Sequence, residues 1–204
     1  MPEWLKGTVL KTVILARVSE VRILPLPHFK NFSVLGDCCF NCYYAITMAK
    51  IEIVQVKNHK FLFLDDYLWM WDLPQEQELQ RDIANQAFGD VLVAGYGFGI
   101  VTKYLLESTK VKSVTTVEKY QEVIDKIKEF GPIYGKIIIA DFYELPENEK
   151  YDCVIGDIWT EIDQRFLDDY KKFKEKAQKF LKPSGFILGW GKDYFEFLLK
   201  KGSD

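Results

Sequence analysis

No window of the 204 residues approaches the ~18 uninterrupted apolar residues that a membrane span requires, so no membrane partner is expected. An excess of positive charge is missing too. The net charge is -3, which gives no electrostatic footprint for nucleic acid over the whole chain. Histidine is scarce, at two residues, and His28 and His59 lack zinc-finger spacing to the four cysteines, so no metal is expected. Cys38, Cys39 and Cys42 cluster, whereas Cys153 lies inside an apolar run and reads as a small core hydrophobe. The apolar patch from Thr8 to Ala16 is interrupted by Lys11 and no small-residue cleavage pattern follows, which argues against a secretory signal and for a cytoplasmic protein. Internal repeats and low-complexity segments are also missing.

What is present suits one soluble domain of ordinary size: 48% hydrophobic and 15% aromatic residues. The charge is uneven. Residues 1–47 carry five Lys or Arg against three Asp or Glu, and residues 48–204 carry 22 against 27. Three segments are expected: an N-terminal extension over 1–47, a small antiparallel β-meander over 48–74, and an α/β domain over 75–204. In the meander, Ile51, Ile53 and Val56 precede a turn at Lys57-Asn58-His59-Lys60, then Phe61–Leu64, a second turn at Asp65-Asp66, and Tyr67–Trp71. His59 reads as a solvated loop residue. Pro74 suits a first helical turn with Asp72 as its cap, and Leu79, Ile83, Ala84, Ala87 and Phe88 repeat at helical spacing. The polar run Gln75–Glu78 at the start of that helix reads either as solvation or as a lid that touches substrate.

The chain then reaches its organising stretch, Asp90-Val91-Leu92-Val93-Ala94-Gly95-Tyr96-Gly97-Phe98-Gly99-Ile100, an apolar run ending in three glycines spaced two apart. It reads as a buried parallel strand entering a glycine turn that opens a helix. Residues without a Cβ let the backbone approach a ligand, and the helix behind supplies N–H groups at its positive end. Apolar strands follow at Val114–Glu118, Ile137–Asp141, Tyr151–Asp157 and Phe186–Trp190, interleaved with amphipathic helices, one of them long, from about Glu161 to Leu181. Lys182-Pro183-Ser184-Gly185 reads as the turn into the last strand. The lysines at 171, 172, 174, 176 and 179 complement the dipole of the long helix, and a nucleic-acid patch is the competing reading. Alternating strands and helices imply an α/β fold, a doubly wound and mainly parallel sheet with helices on both faces. Ligands bind such sheets beyond the carboxyl ends of the strands, where the strand order reverses. Those ends carry Gly95, Glu118, Asp141 and Asp157. Glu118, 23 residues after Gly95, stands near the separation at which an acid grips ribose hydroxyls.

A dinucleotide fingerprint calls for Gly or Ala where this chain has Ile100. Gly95-x-Gly97-x-Gly99, taken with Glu118, Asp141 and Asp157, instead resembles the class I (Rossmann-like) S-adenosylmethionine-dependent methyltransferases, over about Trp71 to Trp190. The resemblance implies S-adenosylmethionine as cofactor. Gly95, Tyr96, Gly97 and Gly99 would face its methionine part, Glu118 its ribose, and Asp141 with Phe142 its adenine, with Lys119 and Asp157 as further cofactor-binding residues. The meander, the helix start and the strand ending in Asp157 look like the spermidine synthase branch. Phe98 stands where that branch carries an Asp, and Ile158-Trp159-Thr160-Glu161 departs from its Ser-x-Asp-Pro-like continuation, which weakens aminopropyl transfer. Val93 replaces the usual acid before the first glycine. Asp157 followed by Trp159 resembles the polar-then-aromatic arrangement of amine methyltransferases, with Asp157 accepting a hydrogen bond from an amine or hydroxyl acceptor and Trp159 packing against it or lying in the core.

The expected activity is therefore methyl transfer to a small-molecule acceptor, with an aminopropyltransferase and a non-catalytic nucleotide-binding module as the alternatives. The last is suggested by Val93 and by the short C-terminus, since the family normally adds two strands where only Lys192–Asp204 remain. A last strand left as an edge suggests a homodimer or a docked meander. Residues 1–30 resemble a spurious translation of a tRNA gene: Val21-Arg22-Ile23-Leu24 can be encoded by GTT CGA ATC CTN, a T-loop, and Glu3-Trp4-Leu5-Lys6 by GAG TGG TTA AAG, a D-arm. A start at Met48 is the expectation, with a genuine N-terminal arm as the alternative.

Overall fold

The structure, a computed structural model, describes residues 50–201. The expectations on Met48, on Cys38, Cys39, Cys42 and on His28 lie outside the described residues. The described chain begins with an antiparallel meander, β1 (Ile51–Val56), β2 (His59–Leu64) and β3 (Tyr67–Trp71), in the order β1-β2-β3. Its first turn is tighter than the sequence implied. Val56 pairs with His59, leaving only Lys57-Asn58 as the loop, with Lys57 at φ 56°. His59 consequently opens β2 and is not a loop residue, although its side chain stays 37% exposed, with Nδ1 3.5 Å from Asp72 Oδ1. The second turn places Asp65 and Asp66 at φ 49° and 63°, the left-handed pair of a two-residue hairpin loop that aspartate tolerates.

Helix α1 (Pro74–Gln86) starts with Pro74 in its first turn, as expected, but the residue before it, Leu73, is the cap position. Asp72 is spent elsewhere: its carboxylate accepts from the Lys60 amide at 2.7 Å and lies 3.4 Å from Lys60 Nζ. The buried face also differs in phase. Glu76, Gln80, Ala84 and Ala87 are buried, whereas Leu79 and Phe88 are 38% and 45% exposed. Both rows satisfy a helical period, so periodicity alone could not choose between them. Phe88 instead rests on Phe186, with ring centroids 5.3 Å apart.

The main sheet consists of β4 (Gly89–Ala94), β5 (Val111–Glu118), β6 (Lys136–Ile139), β7 (Tyr151–Gly156) and β8 (Leu181–Gly189), all parallel, in the order β6-β5-β4-β7-β8. Helices α2 (Ile100–Glu107), α3 (Gln121–Lys128), α4 (Leu167–Lys179) and α5 (Lys192–Lys201) complete the described elements. This is the Rossmann-like α/β architecture that the alternation implied. Val91 to Ala94 form an unbroken apolar run because both faces of β4 are covered. Val91, Val93, Cys153 and Ile155 join Ala84 and Ala87 beside α1 and Val101 and Leu105 of α2 on one side. Leu92, Ala94 and Val154 join Tyr170, Phe173 and Ala177 of α4 and Phe195 of α5 on the other. Cys153 has no exposed surface, and burial pushes its thiol pKa up to about 12, in keeping with a packing role.

Two boundaries depart from the sequence reading. The long helix begins only at Leu167, because Asp163 accepts from the Arg165 amide at 2.9 Å and sets up a short 3-10 turn over Gln164–Phe166 first. Lys182–Gly185 is not a turn between elements but an irregularity inside β8, where Tyr151 pairs with Leu181 and Cys153 with Phe186. β8 is an edge of this sheet among the described residues, where a proline costs no ladder bond. The lysines of α4 are paired: Lys171 with Asp168, Lys172 with Asp169, Lys174 with Glu196, and Lys176 and Lys179 with Glu147. No helix among the described residues is long and apolar enough to cross a membrane.

Candidate functional site

The chain steps outward from β4 to β5 to β6, then returns to lay β7 on the other side of β4, so the strand order reverses between β4 and β7. In open α/β sheets such a reversal is where a ligand crevice lies, beyond the carboxyl ends of the strands. Three backbone bonds carry the ladder past the strands into the loops and fix those loops relative to one another: Gly95 N to Val117 O, Ala140 N to Glu118 O and Asp157 N to Ala94 O, each 2.9 Å. Gly95, Glu118, Asp141 and Asp157 are thereby brought to one edge of the sheet.

The glycine turn is tight. Gly95, Gly97 and Gly99 all have positive φ, at 92°, 49° and 69°. A Cβ on Gly95 would stand 2.1 Å from the Asp157 carbonyl oxygen, so a side chain there would force the two loops apart. Gly97 is covered from the meander: a Cβ there would stand 2.2 Å from Met70 Sδ, and the same sulfur accepts a hydrogen bond from the Phe98 amide at 3.1 Å. Tyr96 contributes backbone only. Its ring is buried beneath Gly99 and its hydroxyl accepts from the Tyr134 amide at 2.9 Å.

Glu118, the last residue of β5, turns its carboxylate back toward that turn. It accepts from the Tyr96 amide at 3.0 Å and the Tyr120 amide at 2.9 Å, and is buried. Burial raises its pKa, opposed by the amides of Tyr120, Tyr96, Lys119 and Gly97. A carboxylate offers about four lone-pair sites; the Tyr96 and Tyr120 amides take two of them at hydrogen-bond distance, and ligand hydroxyls would compete with the Lys119 and Gly97 amides for the others. At the neighbouring strand end, Asp141 accepts from the Tyr143 amide at 2.9 Å and pairs with Lys119 Nζ at 2.9 Å. Burial works against its charge, but Lys119 and that amide hold its pKa below the usual carboxylate range. Phe142 turns inward, its ring 5.5 Å from that of Phe173 and 5.6 Å from that of Phe180, so it supports the Asp141 loop from the core side.

Asp157 lies just beyond β7, under α1. Gln80 Nε2 donates to Asp157 Oδ2 and to Glu76 Oε1, both at 2.9 Å, so one amide bridges two carboxylates. Gln80 has no exposed surface, and its Oε1 has no hydrogen-bond partner. The bridging assignment is fixed by chemistry, since a flipped amide would set its oxygen between two carboxylates. A buried carbonyl beside two acids is an arrangement of acceptors that a donor-rich ligand completes. Sequence reasoning put Glu76 only within a polar helix start and did not single out Gln80 or Met70. The signal for the first two was their i, i+4 spacing in line with Ala84; for Met70 there was none.

Trp159 takes the second of its two sequence readings. It is 6% exposed, donates from Nε1 to the Trp190 carbonyl at 2.8 Å, and meets Tyr170, Phe173 and Phe195 edge-on. Its face is therefore core, not a surface for an acceptor. We expect Trp159→Phe to cost about 2 kcal/mol of stability through lost volume and a lost hydrogen bond, read by denaturant unfolding, while leaving nucleoside affinity within about twofold.

No family model matches the chain, and no curated protein matches it. Solved structures do. It is similar to spermidine synthase from Thermotoga maritima, at 17% identity over 76% of this chain and 60% of that one, with a TM-score of 0.56. A spermidine synthase in complex with the transition-state analogue AdoDATO gives 17% identity, 76% and 59% coverage and a TM-score of 0.55. An S-adenosylmethionine-dependent methyltransferase from Clostridium acetobutylicum ATCC 824 gives 23% identity over 58% and 50%, with a TM-score of 0.42. The chain thus spans 50% to 60% of the length of these proteins. Likeness at this level is likeness of fold.

Proposed function

We propose that this chain is an S-adenosylmethionine-dependent methyltransferase acting on a small amine or hydroxyl acceptor. The observation that carries the reading is the meeting of Gly95 and Asp157 at the point of strand reversal, with Gln80 tying Asp157 to Glu76. The cofactor, when bound, supplies a methyl group on a positively charged sulfur. Glu118 suits the ribose hydroxyls, Lys119 and Asp141 the adenine edge next to it, and Gly95 to Gly99 the methionine end.

Asp157 then has two tasks. It accepts a hydrogen bond from the acceptor N–H or O–H, which aligns the lone pair, and it takes the proton released as the new bond to carbon forms. Gln80 fixes its rotamer. Glu76 and the Gln80 carbonyl add acceptor capacity and negative charge, which favours a basic amine over a neutral alcohol.

Incubating the full chain with methyl-labelled S-adenosylmethionine and matched sets of amines, amino alcohols and alcohols tests this. Label is expected in amine products, with Asp157→Asn strongly impaired. Aminopropyl transfer from the decarboxylated nucleoside, with no methyl transfer, would replace the reading, and binding without either transfer would leave a nucleotide-binding module.

A further inference from the structure

The backbone amides of the glycine turn are almost fully committed within the protein. Gly95 N donates to Val117 O, Tyr96 N to Glu118 Oε2 and Gly99 N to Tyr96 O, at 2.9, 3.0 and 2.7 Å, and the Gly97 amide also acts on Glu118. These acceptors are carbonyls and a carboxylate. Phe98 is different: its N–H goes to the thioether of Met70, at 3.1 Å. A thioether is a weak acceptor. The Phe98 amide is therefore the one donor in the turn that an incoming anionic group can take over at little cost. Met70 reaches it from β3, outside the Rossmann-like sheet, and both Met70 and Phe98 are only partly buried, so the exchange needs no unfolding of the core.

We propose that Met70 is a specificity-determining residue of the nucleoside site, a placeholder on the Phe98 N–H that the α-carboxylate of the ligand displaces. This rests on the methyltransferase reading above. A sulfonium nucleoside that keeps its carboxylate exchanges a sulfur acceptor for a charged oxygen acceptor. One that has lost it leaves Met70 in place and gains nothing there. The strength of the acceptor at residue 70 thus sets how strongly the site prefers the carboxylated form. Gly97 serves the same device, since a Cβ there would expel the sulfur.

The test compares dissociation constants of the full chain for S-adenosylhomocysteine and its decarboxylated counterpart, both unreactive, in wild type, Met70→Leu and Met70→Gln. Leucine keeps the bulk and removes the acceptor. The preference for the carboxylated ligand is expected to rise about threefold to tenfold, the worth of one exchanged hydrogen bond. Glutamine offers a stronger acceptor and is expected to lower the preference, so the two variants move in opposite directions. Faster amide exchange at Phe98 in Met70→Leu is the accompanying sign. If both variants bind the two ligands with the wild-type ratio, or weaken both alike, Met70 is packing only and the inference fails while the functional reading stands. If wild type binds neither ligand, both fail.

Discussion

Glu118→Ala is expected to weaken nucleoside binding severely and to loosen the glycine turn in the same step. The carboxylate holds the Tyr96 and Tyr120 amides at 3.0 and 2.9 Å, the first of them buried, so cutting back the side chain leaves the Tyr96 donor without its acceptor in the interior. Hydrogen bonds to a charged acceptor contribute about 1.5–3 kcal/mol each, and part of that is offset by the cost of burying the charge, so a stability loss of about 2–4 kcal/mol is expected. Affinity should fall by roughly a hundredfold or more, because the ribose acceptor goes and the turn that faces the methionine end shifts with it. Chemical denaturation and titration with S-adenosylhomocysteine read the two effects separately. Retained affinity with lost stability would reduce Glu118 to a structural role.

The pH dependence of the same group has a defined sign. Burial raises the Glu118 pKa above its ordinary value of 4.5. The native state therefore holds the proton over a pH range in which the unfolded chain has released it, and stability from this group falls as pH rises from about 4.5 through the raised native value. Below that window the difference vanishes. Compared with Glu118→Gln, whose side chain does not titrate, wild type should lose melting temperature across this range and then level off.

Asp157→Asn is the second large effect, and it should separate chemistry from binding. Asparagine keeps an oxygen for the Gln80 Nε2 donor at the same place, so α1 stays tied to the end of β7. What it loses is the ability to take a proton. Turnover should drop about 10²–10³-fold with the Michaelis constant for S-adenosylmethionine nearly unchanged, the pattern of a group that acts on the reacting acceptor. Equal turnover in Asp157→Asn and wild type would remove Asp157 from the chemistry. Gln80→Leu offers a graded companion: it removes the bridge between Asp157 and Glu76, and should impair turnover less than Asp157→Asn while leaving affinity for the nucleoside intact.

The parts of the site carried by the central strands were legible from sequence because a buried parallel strand leaves few choices. Val91 to Ala94 must be covered on both faces, the first glycine must follow, and the acids that close β5 and follow β7, Glu118 and Asp157, must emerge at the same edge. The parts supplied by neighbouring elements were not legible. Leu79 and Gln80 are adjacent, and one helical register buries the first while another buries the second; hydrophobicity favoured Leu79, whereas the bridge to Asp157 and Glu76 sets Gln80 inward. Met70 reads as one more apolar residue of a strand until the glycine turn is placed beside it. Trp159 is ambiguous in the same way, since an aromatic two residues after a site carboxylate fits a functional and a core role alike until its ring is found among Tyr170, Phe173 and Phe195.

The most direct test of the central claim is a calorimetric titration of the full chain with S-adenosylhomocysteine, with NAD as the comparison ligand, in wild type and Glu118→Ala. One-to-one binding with a dissociation constant on the order of micromolar, absent for NAD and lost in Glu118→Ala, is the predicted result. No heat with S-adenosylhomocysteine, or equal binding by the Glu118→Ala protein, would contradict the assignment of the glycine turn and Glu118 to a sulfonium nucleoside.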